Sequence, residues 1–181
     1  TVHDLITEVA GLFALAAARR DRIGAILFDS DVRKVIPPRL GWRHGLRVVR
    51  EVLASEPGGS GTALDEAVRA AGRLLRRRGV VIAVVDQTCA LPRRELVALA
   101  GRHEVVVVRV GDALLEKGLA EGALPVVEPE GGRRGLIGGP GAIKQESVVG
   151  GIDVVELNTG EDYLPTVRAM LESRERRRAH H

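Results

Sequence analysis

Apolar residues recur along this chain in two rhythms. Over residues 4–20 they fall three and four apart, with Leu5, Val9, Leu12, Phe13 and Ala16 on one face, which predicts a helix. Gly24-Ala25-Ile26-Leu27-Phe28 is instead continuously apolar, the pattern of a strand covered on both faces. Asp29-Ser30-Asp31 then turns the chain. Val32 to Ile36 alternates until it reaches Pro37-Pro38, which suits a short edge strand closing a hairpin. Trp42, Leu46, Val49 and Leu53 return to helical spacing on one face and predict a helix over 41–54.

Pro57-Gly58-Gly59-Ser60-Gly61 breaks the pattern. A helix is predicted from Thr62 to about Arg78, with Leu64, Val68, Ala71 and Leu75 in register and Gly79 as its stop. Val80 to Val85 and Val105 to Val110 are two more buried strands, separated by a helix that opens at Leu91-Pro92 and ends near Gly101. Between 111 and 151 the signals weaken. Leu124 to Glu128 and Gly135 to Ile137 suit short strands around the turn Pro129-Glu130-Gly131-Gly132, and a helix over 140–149 would be interrupted by glycines. Ile152 to Leu157 is a further strand. Glu161 to about Arg177 is a terminal helix, acidic at its start and basic at its end as the helix dipole prefers. Strand and helix alternate, so the expected architecture is an α/β sandwich of three layers: a mostly parallel sheet with right-handed crossovers and helices on both faces. Ligands of such sheets bind at the carboxyl ends of the strands. That singles out the loops after Phe28, Val85 and Val110 and the loop before Thr62.

Composition narrows the function more than the fold. The 181 residues fit one domain, taken as 1–178 with 179–181 as a tail in which His180-His181 looks like a purification-tag remnant. Aromatics make up only 2%, so Val, Leu, Ile and Ala must fill the core and base-stacking nucleic-acid modules are disfavoured. The single cysteine, Cys89, excludes an intramolecular disulfide and a cysteine zinc cluster. No apolar run approaches a membrane span. The formal charge of +3 rests on 24 arginines gathered in short clusters, most at apparent helix carboxyl ends, where they complement helix dipoles; no nucleic-acid partner is expected.

Chemistry-bearing residues are few. Asp86 stands at the end of the strand 80–85. It suits a hard cation that takes oxygen donors, and it equally suits a cap on its own loop, Gln87-Thr88; both readings stay open here. Thr62, followed by Asp65 three residues on, reads as a helix N-cap, and its hydroxyl could alternatively face a metal at the same sheet edge. Gly58-Gly59-Ser60-Gly61-Thr62 lacks the lysine of a nucleoside-triphosphate loop, and no Gly-x-Gly-x-x-Gly follows a strand. His3, His44 and His103 are isolated, no nucleophile elbow is present, and nothing pairs Cys89 with a histidine. Asp29 and Asp31 are explained by their turn. No catalytic set emerges.

Arg22-Ile23-Gly24-Ala25-Ile26-Leu27-Phe28-Asp29 with Val35-Ile36-Pro37-Pro38-Arg39, Gly61-Thr62-Ala63-Leu64, Arg77-Arg78-Gly79-Val80-Val81 followed by Asp86, Arg102 to Val110, and Gly151 to Leu157 with Glu161-Asp162-Tyr163-Leu164 together resemble, in order, the bacterial domain of unknown function 58 family over roughly residues 5–177. That family is similar to von Willebrand factor A-type domains. The resemblance implies a Rossmann-like, six-stranded, mostly parallel sheet whose antiparallel edge strand is Val32–Ile36. It also implies a metal-ion-dependent adhesion site for Mg²⁺, with Thr62 and Asp86 in the places of its second and third ligand loops. The Asp-x-Ser-x-Ser motif of the first loop is absent from the chain, and so is the strand before it. A strand missing from the sheet centre would leave apolar faces and backbone groups open, so the expectation is that another segment or another chain fills the gap.

The function so implied is a non-enzymatic protein-interaction domain with a metal-assisted site. Its implied partner is a MoxR-type AAA+ ATPase. It would work in the cytoplasm, at the inner face of the membrane if helices upstream anchor the whole protein; self-association stays open. The alternative is a small-ligand or nucleotide-binding enzyme on a flavodoxin-like scaffold, and a receiver-like domain with Asp86 as phosphoacceptor is disfavoured because Arg109-Val110, not a lysine, ends the relevant strand.

Overall fold

A computed structural model describes residues 1–56, 61–112, 146–148 and 151–179. In chain order the elements are α1 (Val2–Ala17), β1 (Ile23–Phe28), β2 (Val32–Arg39), α2 (Trp42–Leu53), α3 (Leu64–Leu74), β3 (Val80–Asp86), α4 (Arg93–Ala100), β4 (Glu104–Asp112), β5 (Glu146–Val148), β6 (Ile152–Thr159) and α5 (Leu164–Ala179). The strands form two sheets. One has the order β3-β4-β6-β5 and the other is the pair β1-β2. β3, β4 and β6 run parallel, and β5 lies antiparallel on β6.

The valine runs explain the larger sheet. Val105, Val106, Val107, Val108 and Val110 of β4 are almost wholly buried because strands flank it and helices cover both faces. Val105 and Val107 point to one face, where they join Ala83, Val85, Ile152 and Val154 under Leu64, Val68 and Ala71 of α3 and Leu96 and Leu99 of α4. Val106, Val108 and Val110 point to the other, with Val155 and Leu157 under Leu5, Val9 and Phe13 of α1 and Val167 and Met170 of α5. The smaller sheet is tied to both layers. Ile26 and Phe28 of β1 reach the α3 layer. Ile23, Ala25 and Leu27 face Ala10 and Ala14 of α1 and Val48 and Val52 of α2. Despite that cover, every residue of β1 is only half-buried. β1 pairs with β2 alone and β3 with β4 alone, so among the described residues one edge of each strand carries no neighbour.

Several expectations need correction. Val32–Ile36 does lie in an antiparallel edge strand, β2, but it pairs with β1 in a sheet of its own, and the larger sheet has a second antiparallel edge strand in β5. β2 also runs on through Pro37 and Pro38 to Arg39, since an edge strand loses nothing where proline lacks an N–H. A register shift in the β1–β2 pair falls at Gly24, where a Cβ would collide with the Ile36 carbonyl oxygen and stand 2.9 Å from the Pro38 nitrogen. The helix expected over 62–78 is only Leu64–Leu74. Where a helix was expected over 140–149, residues 146–148 form β5, and the strands expected at 124–128 and 135–137 lie outside the described residues. In α2, the stripe of Trp42, Leu46, Val49 and Leu53 that signals the helix is not the face it buries. The buried positions are Gly45, Val48 and Val52. Gly45 sets this rotation: a Cβ there would collide with that of Ala18 and lie 3.1 Å from the Ala18 Cα, so only glycine lets α1 and α2 approach so closely.

Two stability predictions follow from this packing. Gly45→Ala overpacks the α1–α2 contact, and even after the gain in helix propensity it should lower the unfolding free energy by about 1 kcal/mol or more, read as a lower urea midpoint at unchanged slope. His103, 3% exposed, has no hydrogen-bond partner for either ring nitrogen among the described residues. Burial first, and the Arg102 charge second, hold its pKa below the ordinary 6.5. Above pH 6.5 the imidazole is neutral in both states and stability is undiminished; as pH falls below that, the unfolded chain takes up a proton that the folded chain resists, so stability declines until the folded-state pKa is passed. Urea midpoints measured between about pH 7.5 and about pH 5 should show this decline, and His103→Leu should flatten that part of it.

Candidate functional site

The carboxyl ends of β1 and β3 lie at one rim. β3 ends at Asp86, paired with Val110 of β4. β1 ends at Phe28, and the next carbonyl, that of Asp29, accepts a 2.6 Å hydrogen bond from the Ala63 backbone N–H. This bond holds the segment 61–63 over the β1–β2 turn. Gly61, with φ of 154°, sits so close to Ser30 that a Cβ on it would stand 3.4 Å from the Ser30 Cβ. Residues 57–60 of the glycine-rich break lie outside the described residues.

Thr62 does not cap α3. The capping position belongs to Ala63, with no side-chain bond to the helix. The Thr62 hydroxyl lies close enough to Cys89 to act on its thiol, whose own hydrogen bond goes to the Ala90 carbonyl at 3.6 Å. Cys89 is buried, and its N–H donates to the Asp86 carbonyl at 3.0 Å. So the loop before α3 and the loop after β3 meet at this thiol, which brings Thr62 and Asp86 to the same rim. Burial pushes the Cys89 thiol up from its ordinary pKa, while the Thr62 hydroxyl and the Arg109 charge pull the other way.

Asp86 spends one oxygen on its own loop. Its Oδ1 accepts from the Thr88 backbone N–H at 2.7 Å and from the Thr88 hydroxyl at 2.6 Å. Of the two readings open for this residue, the loop cap is the one its contacts display. Asp29 is likewise committed to its turn. Arg33 Nε donates to both of its oxygens, at 2.8 and 2.7 Å, and the Asp31 N–H donates to Oδ1 at 3.2 Å. The Arg33 hydrogen bond holds the Asp29 carboxyl below the usual carboxylate range.

A Mg²⁺ ion takes about six oxygens in near-octahedral array. Thr62 and Asp86 supply two donor groups, one already bonded to Thr88, and among the described residues no group of three His, Cys, Asp or Glu side chains is placed to hold a metal. These residues alone do not make a Mg²⁺ site.

The rim holds further polar residues to which the sequence assigns no site role. Arg109 donates through Nη2 to the Gln87 carbonyl, and its buried Nε has no partner among the described residues. The Gln87 N–H donates to the Val110 carbonyl at 2.9 Å. The Gln87 side chain lies over Gly111, where a Cβ would collide with its amide and stand 2.8 Å from the Asn158 Oδ1. Next along, the Thr159 hydroxyl donates to Asp112 Oδ1 at 3.1 Å. The available signal was register: Gly111 and Asp112 pair with Asn158 and Thr159 at the ends of two parallel strands, beyond the valine runs that define them.

Residues 2–142 match a family model described as protein of unknown function DUF58. The match takes in everything from α1 to β4 and stops before β5, β6 and α5. No curated protein and no solved structure matches the chain. No helix among the described residues is long and apolar enough to cross a membrane.

Cys89 gives the rim a direct reporter, because it is the only thiol. In the folded chain it should react slowly with a disulfide reagent at neutral pH, with a rate that climbs only in the alkaline range. Thr62→Val removes the hydroxyl that favours the thiolate and should slow that reaction further, whereas a Thr62 side chain remote from the thiol would leave the rate unchanged.

Proposed function

Because the chain belongs to the DUF58 family, which is defined without an assigned activity, we propose for it the function that its rim geometry supports best. It is a non-enzymatic protein-interaction domain that offers the shared carboxyl rim of its sheets to a partner. The observation that supports this reading is that Thr62 and Asp86, on two loops far apart in sequence, both act on the Cys89 thiol, with the Cys89 N–H bonded to the Asp86 backbone carbonyl.

The finer fold in this proposal is the von Willebrand factor A type, with the two sheets as parts of one. α1 packs beside β1 on one face and over β3, β4 and β6, while α3 packs on β1 and β3 from the other face. The unpaired edges of β1 and β3 therefore share a roof and a floor. An extended apolar segment not among the described residues would join them, satisfying both backbone edges and completing the burial of β1. The loop after such a strand would open beside Thr62 and Asp86, the place where oxygen donors are short. The partner proposed, from sequence resemblance, is a MoxR-type AAA+ ATPase.

The test is binding of a purified, nucleotide-free MoxR-type ATPase to this chain, with and without Mg²⁺, for the native sequence and for Asp86→Ala. The expected result is a loss of about tenfold or more in affinity on removing the carboxylate or the cation, roughly the cost of one desolvated charged contact. Unchanged affinity in both comparisons would remove the rim, and the metal with it, from partner binding.

A further inference from the structure

The groove between α1 and α2 is the surface that the rim does not explain. The two helices run antiparallel: Leu53 lies 3.6 Å from the position of a Cβ on Gly11, Gly45 abuts Ala18, and the Arg19 guanidinium stands 5.7 Å from the centre of the Trp42 ring. Along this line large apolar side chains stay in solvent: Trp42 44%, Leu46 41% and Leu53 59% exposed on α2, and Leu15 42% exposed on α1. Residues 42, 46 and 53 share a helical stripe, with half-buried Val49 between them. Single exposed leucines are ordinary on a protein surface, but a continuous stripe of them marks an interaction site.

The charges beside the stripe select the occupant. Arg43, Arg47 and Arg50 form a second, exposed row along α2. Arg43 and Arg50 make no ion pair among the described residues, and Arg47 only a loose one, 4.0 Å from Glu51, which Lys34 already holds at 2.6 Å. A second copy of this chain is a poor fit, since two such stripes packed antiparallel would set one arginine row against the other. A groove flanked by two helices suits a third helix better than the flat surface of a bilayer. We propose that the α1–α2 groove docks an amphipathic helix of a protein partner, with its apolar face on Trp42, Leu46 and Leu53 and an acidic flank against Arg43, Arg47 and Arg50. The stripe runs about 17 Å along α2 at 1.5 Å per residue, so three turns of helix would fill it. The site is independent of Thr62 and Asp86.

Trp42 is the only tryptophan, so its fluorescence reports occupancy without a label. The probes are a synthetic helical peptide with leucines at helical spacing and glutamates along one flank, the same peptide with lysines for glutamates, and phosphatidylserine–phosphatidylcholine vesicles. The expected result is a saturable blue shift with the glutamate peptide, a response at least about tenfold weaker with the lysine peptide, and the same loss for Leu46→Asp with the native circular dichroism spectrum intact. The double charge reversal Arg43→Glu with Arg50→Glu should invert the preference between the two peptides. Equal response to both peptides, response to the vesicles alone, a shift produced merely by concentrating the protein, or no shift with the glutamate peptide would each overturn the proposal.

Discussion

Helix α1 packs against two sheets at once, and the arrangement of everything else depends on it. Leu5, Val9 and Phe13 lie on the valine face of β4 and β6, and on the adjoining face of the same helix Ala10 and Ala14 lie in the cluster shared by β1, β2 and α2. The two faces differ in side-chain size for a physical reason. The face with Leu5, Val9 and Phe13 must fill space above a broad sheet, whereas the face with Gly11 and Ala14, continued by Ala18, must let α2 close in, which Ala18 and Gly45 allow by bringing backbones nearly into contact. With α3 bridging β1 and β3 from the opposite face, helices hold the two sheets side by side, and among the described residues no strand pairs them. β1 shows the cost. Its sequence is as apolar as that of a central strand, yet it stays half-buried, because cover on two faces cannot replace a neighbour on its open edge.

The same arrangement gathers chemistry at one rim. Parallel strands all release their chains at one end, so the residues just past the valine runs meet there whatever their distance in sequence. At this rim the contacts are mostly internal: Asp86 is tied to Thr88, Asp29 to Arg33, Asp112 to Thr159 and Arg109 to the Gln87 carbonyl. The lone thiol is buried and pushed toward its neutral form. Such fixed polar contacts are the surface that the proposed partner would meet.

How much of this was legible in the sequence follows from which physical signal each element carries. The strands from Ile23 to Phe28 and from Val80 onward are plain, since continuous valine and isoleucine runs have one economical use, a strand buried on both faces. The meeting of the loops at Thr62 and Asp86 follows from strand order. The role of the Thr62 hydroxyl does not, because a threonine before a helix looks the same whether it caps that helix or reaches across to Cys89. The division of the strands into two sheets is not legible either: pairing partners lie far apart in sequence, and hydropathy does not record whether a strand has one neighbour or two. The helix at α2 was found by its strongest apolar stripe, but burial was decided by the smallest residue on it, and glycine contributes nothing to an apolar pattern.

Arginine placement separates the two surfaces of this protein. Arg19-Arg20 follow the carboxyl end of α1, where the helix dipole favours cations, and Arg33 neutralises the Asp29 turn; such charges serve the fold locally, whereas Arg93-Arg94 open α4 at the end where the dipole disfavours them. Arg43, Arg47 and Arg50 follow the length of α2, where the helix dipole offers at most the last of them any advantage, and Glu51 is the single acidic residue in that helix. Like charges one turn apart destabilise a helix by a few tenths of a kcal/mol per pair. An exposed apolar stripe alongside adds its own cost in solvation. Beyond the Arg19–Trp42 contact and the loose Arg47–Glu51 pair, these two local costs on one helix have no offset among the described residues, and the proposed docked helix would supply one.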